Sequence, residues 1–141
     1  AGAGADPASS EDASNETYCR VMKPLQFDNV ATFRAHHYSK LASAVKALSR
    51  KRLRRIATEQ SSLMESLPLA KASSVFLRVS EERVDSMKVM IVGPEDTPYS
   101  QGCFLFDLFC PADARVHDTC LCVCVCVCVC GSVCVCVCVC V

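Results

Sequence analysis

Thiols dominate the reactive side chains of this sequence: 13 of its 141 residues are cysteine. Cys19, Cys103 and Cys110 lie in the body of the chain, and the other ten fall in the C-terminal tail. A thiolate is both a nucleophile and a soft metal ligand, and its pKa decides whether it acts as either. The tail VCVCVCVCGSVCVCVCVCV (123–141) repeats Cys-x-Cys, a spacing that can gather zinc or monovalent copper, although valine crowds the approach to a cluster. His117, Asp118 and Cys120 spell out a base, an orienter and a nucleophile. Nearness in sequence does not create triad geometry, and an uncharged tail offers no cation or helix N-terminus to activate a thiol. Cys103 and Cys110 bracket an apolar run and read as packing residues. His36 and His37, next to Tyr38, lack a second pair at metal-ligand spacing. The residues therefore assign no catalytic group, metal site or cofactor.

The bulk composition narrows the possible partners. Fifteen basic residues balance fifteen acidic ones, so global charge points to neither nucleic acid nor membrane. The charge is segregated, however. Seven Lys or Arg residues lie between Lys40 and Arg55 with no acid among them, and nothing is charged from Thr119 to Val141. Three cysteines outside the tail fit a reducing, cytoplasmic interior better than a disulfide scaffold. The start AGAGADPASSEDASNE lacks the basic and apolar regions of a secretory signal, and residues 1–16 read as a disordered lead-in. A guanine–thymine repeat translates as Cys-Val in every frame, and the tail keeps that phase through Gly131 and Ser132, so it reads as translated repeat DNA. A metal-binding tail and a membrane-anchoring helix over Thr119–Val141 are comparable, lesser protein-level alternatives, the helix lacking a flanking basic anchor.

Some elements must position these side chains. SKLASAVKAL (39–48) places Leu41, Ala44, Val45 and Leu48 at helical spacing. Ser49 then precedes a helix expected to run to Leu67 and to be stopped by Pro68. Leu53, Ile56, Ala57, Leu63, Met64 and Leu67 form its apolar stripe, with arginines on the other side. Lys51, Arg52, Arg54 and Arg55 on that side read, by themselves, as a solvated face. The period then changes. SSVFLRVS (73–80) and SMKVMIVG (86–93) are rich in strand formers and separated by the turn EERV. After a loop dense in Gly, Pro and Asp comes CFLFDLFC (103–110), with Phe104, Phe106, Leu108 and Cys110 on one face and Pro111 as a stop. A helix followed by an antiparallel meander predicts an α+β fold. The chain divides into the lead-in 1–16, a pre-core segment 17–48 with a helix, a core 49–113, and a Cys/Val tail 114–141.

GPEDTPYSQGCFLFDLFCP (93–111) resembles the ubiquitin-conjugating enzymes, whose second and third strands are joined by G-P-x-D-[ST]-P-Y-x-x-G-x-F. Gly93, Pro94, Asp96, Thr97, Pro98, Tyr99, Gly102 and Phe104 match, followed by Pro111. The resemblance spans His36 to Asp113, more weakly back to Tyr18, and is similar to the conjugating domains of giant BIR-repeat inhibitors of apoptosis. It implies a place in protein ubiquitination, with ubiquitin, an activating enzyme and a ligase as partners. Lys51, Arg52, Arg54 and Arg55 would then form the docking face for activating enzyme or ligase, beside the solvated-face reading.

The resemblance also implies transferase chemistry, in which an active-site cysteine carries ubiquitin as a thioester. The Asn of a His-Pro-Asn segment, a few residues earlier, stabilises the developing oxyanion. This sequence has asparagine only at positions 15 and 29, has no His-Pro-Asn, and departs from the family pattern after Asp113. The expectation is a truncated, inactive core. Its third strand would be left as an unprotected edge, and the neighbouring Cys/Val run would favour aggregation.

Overall fold

The computed structural model describes residues 7–45, 47–110, 122–129 and 133–140. Two helices flank a short one: α1 (Pro7–Met22), α2 (Ser39–Ala44) and α3 (Arg50–Ser66). The strands are β1 (Phe27–Val30), β2 (Leu69–Ala70), β3 (Ser73–Ser80), β4 (Ser86–Val92), β5 (Cys103–Phe109), β6 (Cys122–Val129) and β7 (Val133–Cys140). They form one mixed sheet in the order β1-β3-β4-β5-β6-β7, with β2 pairing the start of β3. The fold is α+β, as the sequence pattern implies.

The core follows from the two-residue period of the strands. Cross-strand register aligns Val79 with Met87 and Met87 with Leu108, then Leu77 with Val89 and Val89 with Phe106. Directly paired residues share a face, so these side chains make one apolar surface. Against it packs α3 through Ile56 and Leu63, joined by its C-cap Leu67, with Cys110 closing the cluster. Leu77 and Val79 are almost fully buried, at 1% and 2% exposure. Phe106, Leu108 and Cys110 thus share the face expected of them.

Helix α3 starts at a capped end. Ser49 is in extended conformation (ψ 150°), and its Oγ accepts the Arg52 N–H at 3.3 Å. The inward stripe is narrower than the apolar periodicity suggests. Leu53 and Met64 are 39% and 48% exposed, and Ala57 is exposed. Gln60 takes a core-facing place instead, because its Nε2 donates to the Val84 carbonyl at 2.9 Å and satisfies the turn beyond β3.

Several expectations need correction. The N-terminal lead-in is helical from Pro7, a residue suited to the first turn. Composition alone predicts disorder for 1–16; residues 1–6 lie outside the described residues, and tertiary hydrogen bonds fasten the later part of α1. Asn15 Oδ1 accepts from Lys71 N at 2.8 Å, Tyr18 OH donates to Ser74 Oγ at 3.0 Å, and Cys19 Sγ donates to the Leu69 carbonyl at 3.2 Å. The helix expected over 39–48 ends at Ala44, with Val45 already extended (ψ 102°). Its carbonyl accepts Arg83 Nη1 at 3.1 Å, a bond that competes with another helical turn. β5 is not an open edge, because β6 pairs antiparallel along Leu105–Phe109. The tail forms strands at 122–129 and 133–140 and not a membrane helix, and no described helix is long and apolar enough to cross a membrane.

One pairing has no counterpart in the sequence patterns. β1 runs parallel to β3, from Phe27 beside Leu77 to Val30 beside Ser80. Gln26 sets it up. Its side chain is buried and donates to the carbonyls of Leu67 and Pro68 at 2.9 and 3.0 Å, capping the open end of α3.

Candidate functional site

The β4–β5 loop is built on two glycines. Gly93 N donates to the Gly102 carbonyl at 2.8 Å, and Gly102 N donates to the Tyr99 carbonyl at 3.0 Å. A Cβ on Gly93 would stand 1.9 Å from that same Tyr99 oxygen. One on Gly102 would meet the Phe104 ring at 2.8 Å. The loop is braced from within: Thr97 Oγ1 donates to the Pro94 carbonyl at 2.7 Å, and Ser100 N donates to the Thr97 carbonyl at 3.0 Å. Asp96 and Gln101 take positive φ of 60° and 59°, which short turns demand. Tyr99 stands edge-on to Phe104 at 5.8 Å and is 64% exposed. Pro94 and Pro98 are exposed and rigidify the crossing. The segment is a scaffold that presents Tyr99.

The basic residues of α3 divide. Lys51 and Arg54 are exposed, and Arg55 is half-buried. Arg52 turns inward, and its Nη2 donates to the Cys110 carbonyl, tying the first turn of α3 to the end of β5. It serves the fold, and Lys51, Arg54 and Arg55 remain as the outward face. The structure does not bring that face to the Gly93–Phe104 loop. Cys110 directly follows β5 and lies beside Arg52, whereas the loop enters β5 at Cys103, seven residues or roughly 23 Å away along the chain.

The thiols of the body are poorly placed for nucleophilic work. Cys110 is buried, and that burial, against the opposing pull of Arg52 and helped by Asp85, pushes its pKa up to about 11. Almost none of it is thiolate at neutral pH. Cys19 is half-buried and bonded to Leu69. Cys103 is exposed and not packed as expected, because it opens β5 opposite Val92 at the loop end of the sheet. The histidines sit at the far end of the strand. His36 Nε2 lies 3.1 Å from the Met87 carbonyl, and His37 N donates to Asp107 Oδ2 at 2.7 Å. Pro111, His117, Asp118 and Cys120 lie outside the described residues. No cluster of metal-binding side chains occurs among the described residues.

Two ion pairs escaped the sequence reading. Arg83 grips Asp85 with Nε to Oδ1 at 3.0 Å and Nη2 to Oδ2 at 2.8 Å, and Asp85 is fully buried. Hydrogen bonding to Asp85 raises the Arg83 pKa above its ordinary value, against the opposing effect of burial. This pair converts EERV from a plain turn into the corner that holds Val45 and Cys110, since Cys110 N donates to the Asp85 carbonyl at 2.9 Å. Lys88 pairs with Asp107 directly across β4 and β5 and lies 5.7 Å from the Phe33 ring. The signal in sequence was a lone charge in each of two apolar strands.

The likeness to known proteins bears on this scaffold. No family model matches the chain. It is 44% identical over 119 residues to the human "Dual E2 ubiquitin-conjugating enzyme/E3 ubiquitin-protein ligase BIRC6", an alignment covering 76% of this chain and 2% of that protein. It is 48% identical over 62 residues to the Caenorhabditis elegans "Probable ubiquitin-conjugating enzyme protein 17", covering 44% of this chain and 8% of that one. The Arabidopsis thaliana "Putative ubiquitin-conjugating enzyme E2 38" is 34% identical over 104 residues, 74% of this chain and 30% of its own length. The chain thus spans a small part of each relative. With a capped basic helix over an antiparallel meander, and the Gly93–Phe104 loop joining β4 to β5, this chain belongs to the ubiquitin-conjugating enzyme family.

Proposed function

We propose that this chain is the leading part of a ubiquitin-conjugating core and acts as a non-catalytic docking module of the ubiquitin pathway. It would contact activating enzyme or ligase through Lys51, Arg54 and Arg55 on α3. The observation that carries the reading is the partition on α3. Arg52 is spent on the Cys110 carbonyl while Lys51 and Arg54 stay exposed and Arg55 half-exposed on a capped helix. A fixed cationic face steers an acidic partner and sets the association rate. The thioester step is left out because the sequence holds no His-Pro-Asn, and the buried Cys110 thiol stays protonated at neutral pH.

Binding of ubiquitin-activating enzyme to immobilised chain tests the docking role. The double variant Arg54→Glu, Arg55→Glu is expected to recover about tenfold less enzyme. Equal recovery removes the proposal. The competing reading is that the chain carries ubiquitin itself. It predicts a thiol-sensitive ubiquitin adduct when chain, activating enzyme, ubiquitin and ATP are mixed, and the docking reading predicts none.

A further inference from the structure

His36 is held by two hydrogen bonds of opposite sense. The Tyr38 N–H donates to its Nδ1 at 3.3 Å, so that nitrogen must be bare. Its Nε2 lies 3.1 Å from the Met87 carbonyl, which can only accept, so that nitrogen must carry the hydrogen. Only the neutral ring with its hydrogen on Nε2 fills both roles. An imidazolium has hydrogens on both nitrogens, and its Nδ1–H would face the Tyr38 N–H.

This half-buried ring fastens a larger element, the strap of residues 31–44 that leads into and includes α2. Tyr38 and Ala42 pack on Phe109, which strand alternation puts on the sheet face turned away from Leu108 and α3. Tyr38 stacks on Phe109 with ring centres 6.0 Å apart, and Phe33 stacks on His36 at 5.6 Å. A cleft of about 220 Å³ beside His36, bordered by Phe33, Ser39 and Ser86, gives the ring room to swing. Charge around it is balanced. Glu82 and Arg83 line the same cleft, with Arg83 bound to Asp85. Lys88 and Asp107 pair beside Phe33 and His37, while Arg34 and Lys40 are exposed on the strap. Hydrogen-bond roles, rather than one neighbouring charge, therefore select the form of the ring. We propose that His36 is a pH-sensitive latch: when its ring takes a second proton, the bond from Tyr38 is lost and residues 31–44 loosen from the outer sheet face. The proton comes from solvent and settles on Nδ1. The bond exists only with the ring neutral, so the strap is fastened at neutral pH. It is released as pH falls through the range, about 6.5, where imidazoles gain charge. The latch stands apart from α3 and does not depend on the docking role.

The test uses the full chain and follows amide hydrogen exchange, corrected for the intrinsic rate, from about pH 7.5 down to about pH 5. The N–H groups of Ser39 and Ala42 bond back to the carbonyls of His36 and Tyr38. Their protection should fall about tenfold over that span, while Leu77 and Val79 in β3 keep theirs. Imidazole nitrogen shifts should place the hydrogen of the neutral ring on Nε2, and the His36 titration should share its midpoint with the loss of protection. His36→Asn keeps a short acceptor for the Tyr38 N–H but cannot titrate, so its strap should lose no protection as pH falls. His37→Gln should retain the native pH dependence. The proposal falls if strap protection does not change with pH, if the ring titrates with a separate midpoint, or if the neutral ring carries its hydrogen on Nδ1. It falls equally if His36→Asn shows the native pH dependence or His37→Gln abolishes it.

Discussion

At the scale of single residues, burial and backbone contact decide more than residue type does. Cys110 shows this through pH. Its thiol ionises near 9 in an exposed chain and near 11 in the fold. Between those values the unfolded chain has lost the proton while the folded one keeps it, so stability must fall as pH rises from about 9 to about 11. Subtracting the curve for Cys110→Ala isolates the effect, which should reach about 2–3 kcal/mol in urea titrations. Asp85 carries a different burden. Its removal strands the Arg83 guanidinium and leaves the corner between β3 and β4 without its clamp. Asp85→Ala should cost about 3 kcal/mol by denaturant midpoint, at the low end for a broken buried pair because Arg83 keeps 28% of its side chain in solvent. The glycines should rank. Gly93→Ala drives a methyl into a backbone carbonyl that cannot step aside, and Gly102→Ala meets a ring edge. Thermal unfolding should show the larger loss for Gly93→Ala.

Among the elements, α3 carries core contacts and the basic face proposed for docking, and the two can be separated. Ile56→Ala removes the buried contact with Leu77, Val79 and Val89 and should cost about 2–4 kcal/mol. Ser49→Ala removes the N-cap and should cost about 1 kcal/mol, measured the same way. The double reversal at Arg54 and Arg55 should leave the unfolding curve nearly unchanged while weakening partner binding. The start and stop of α3 were legible because Ser49 and Pro68 are local signals, and the face of β5 was legible because its alternation is strict. The family motif marked the Gly93–Phe104 loop. What the sequence hid was non-local. The inward turn of Arg52 depends on a carbonyl 58 residues away. The parallel pairing of β1 with β3 depends on Gln26 reaching the end of α3, and the order of α1 depends on Lys71, Ser74 and Leu69. Short-range periodicity contains none of these partners.

On the scale of the whole molecule, the sheet ends at β7 rather than at β5. Its outer side is a run of strand-forming residues without charge, the kind of edge that recruits a second chain. Concentration-dependent association in sedimentation is the expected result, and lysine at Val135 and Val137 should suppress it. The hairpin behind that edge has a subtler property. Because its sequence repeats every second residue, a shift of β7 by two positions restores cysteine opposite cysteine and valine opposite valine. Most strands have one alignment that hides their apolar side chains, but this pair has a family of them at nearly equal energy. Its amide resonances should therefore broaden through exchange among sliding alignments, while those of β3 and β4, pinned by Arg83, Lys88 and an irregular sequence, stay sharp.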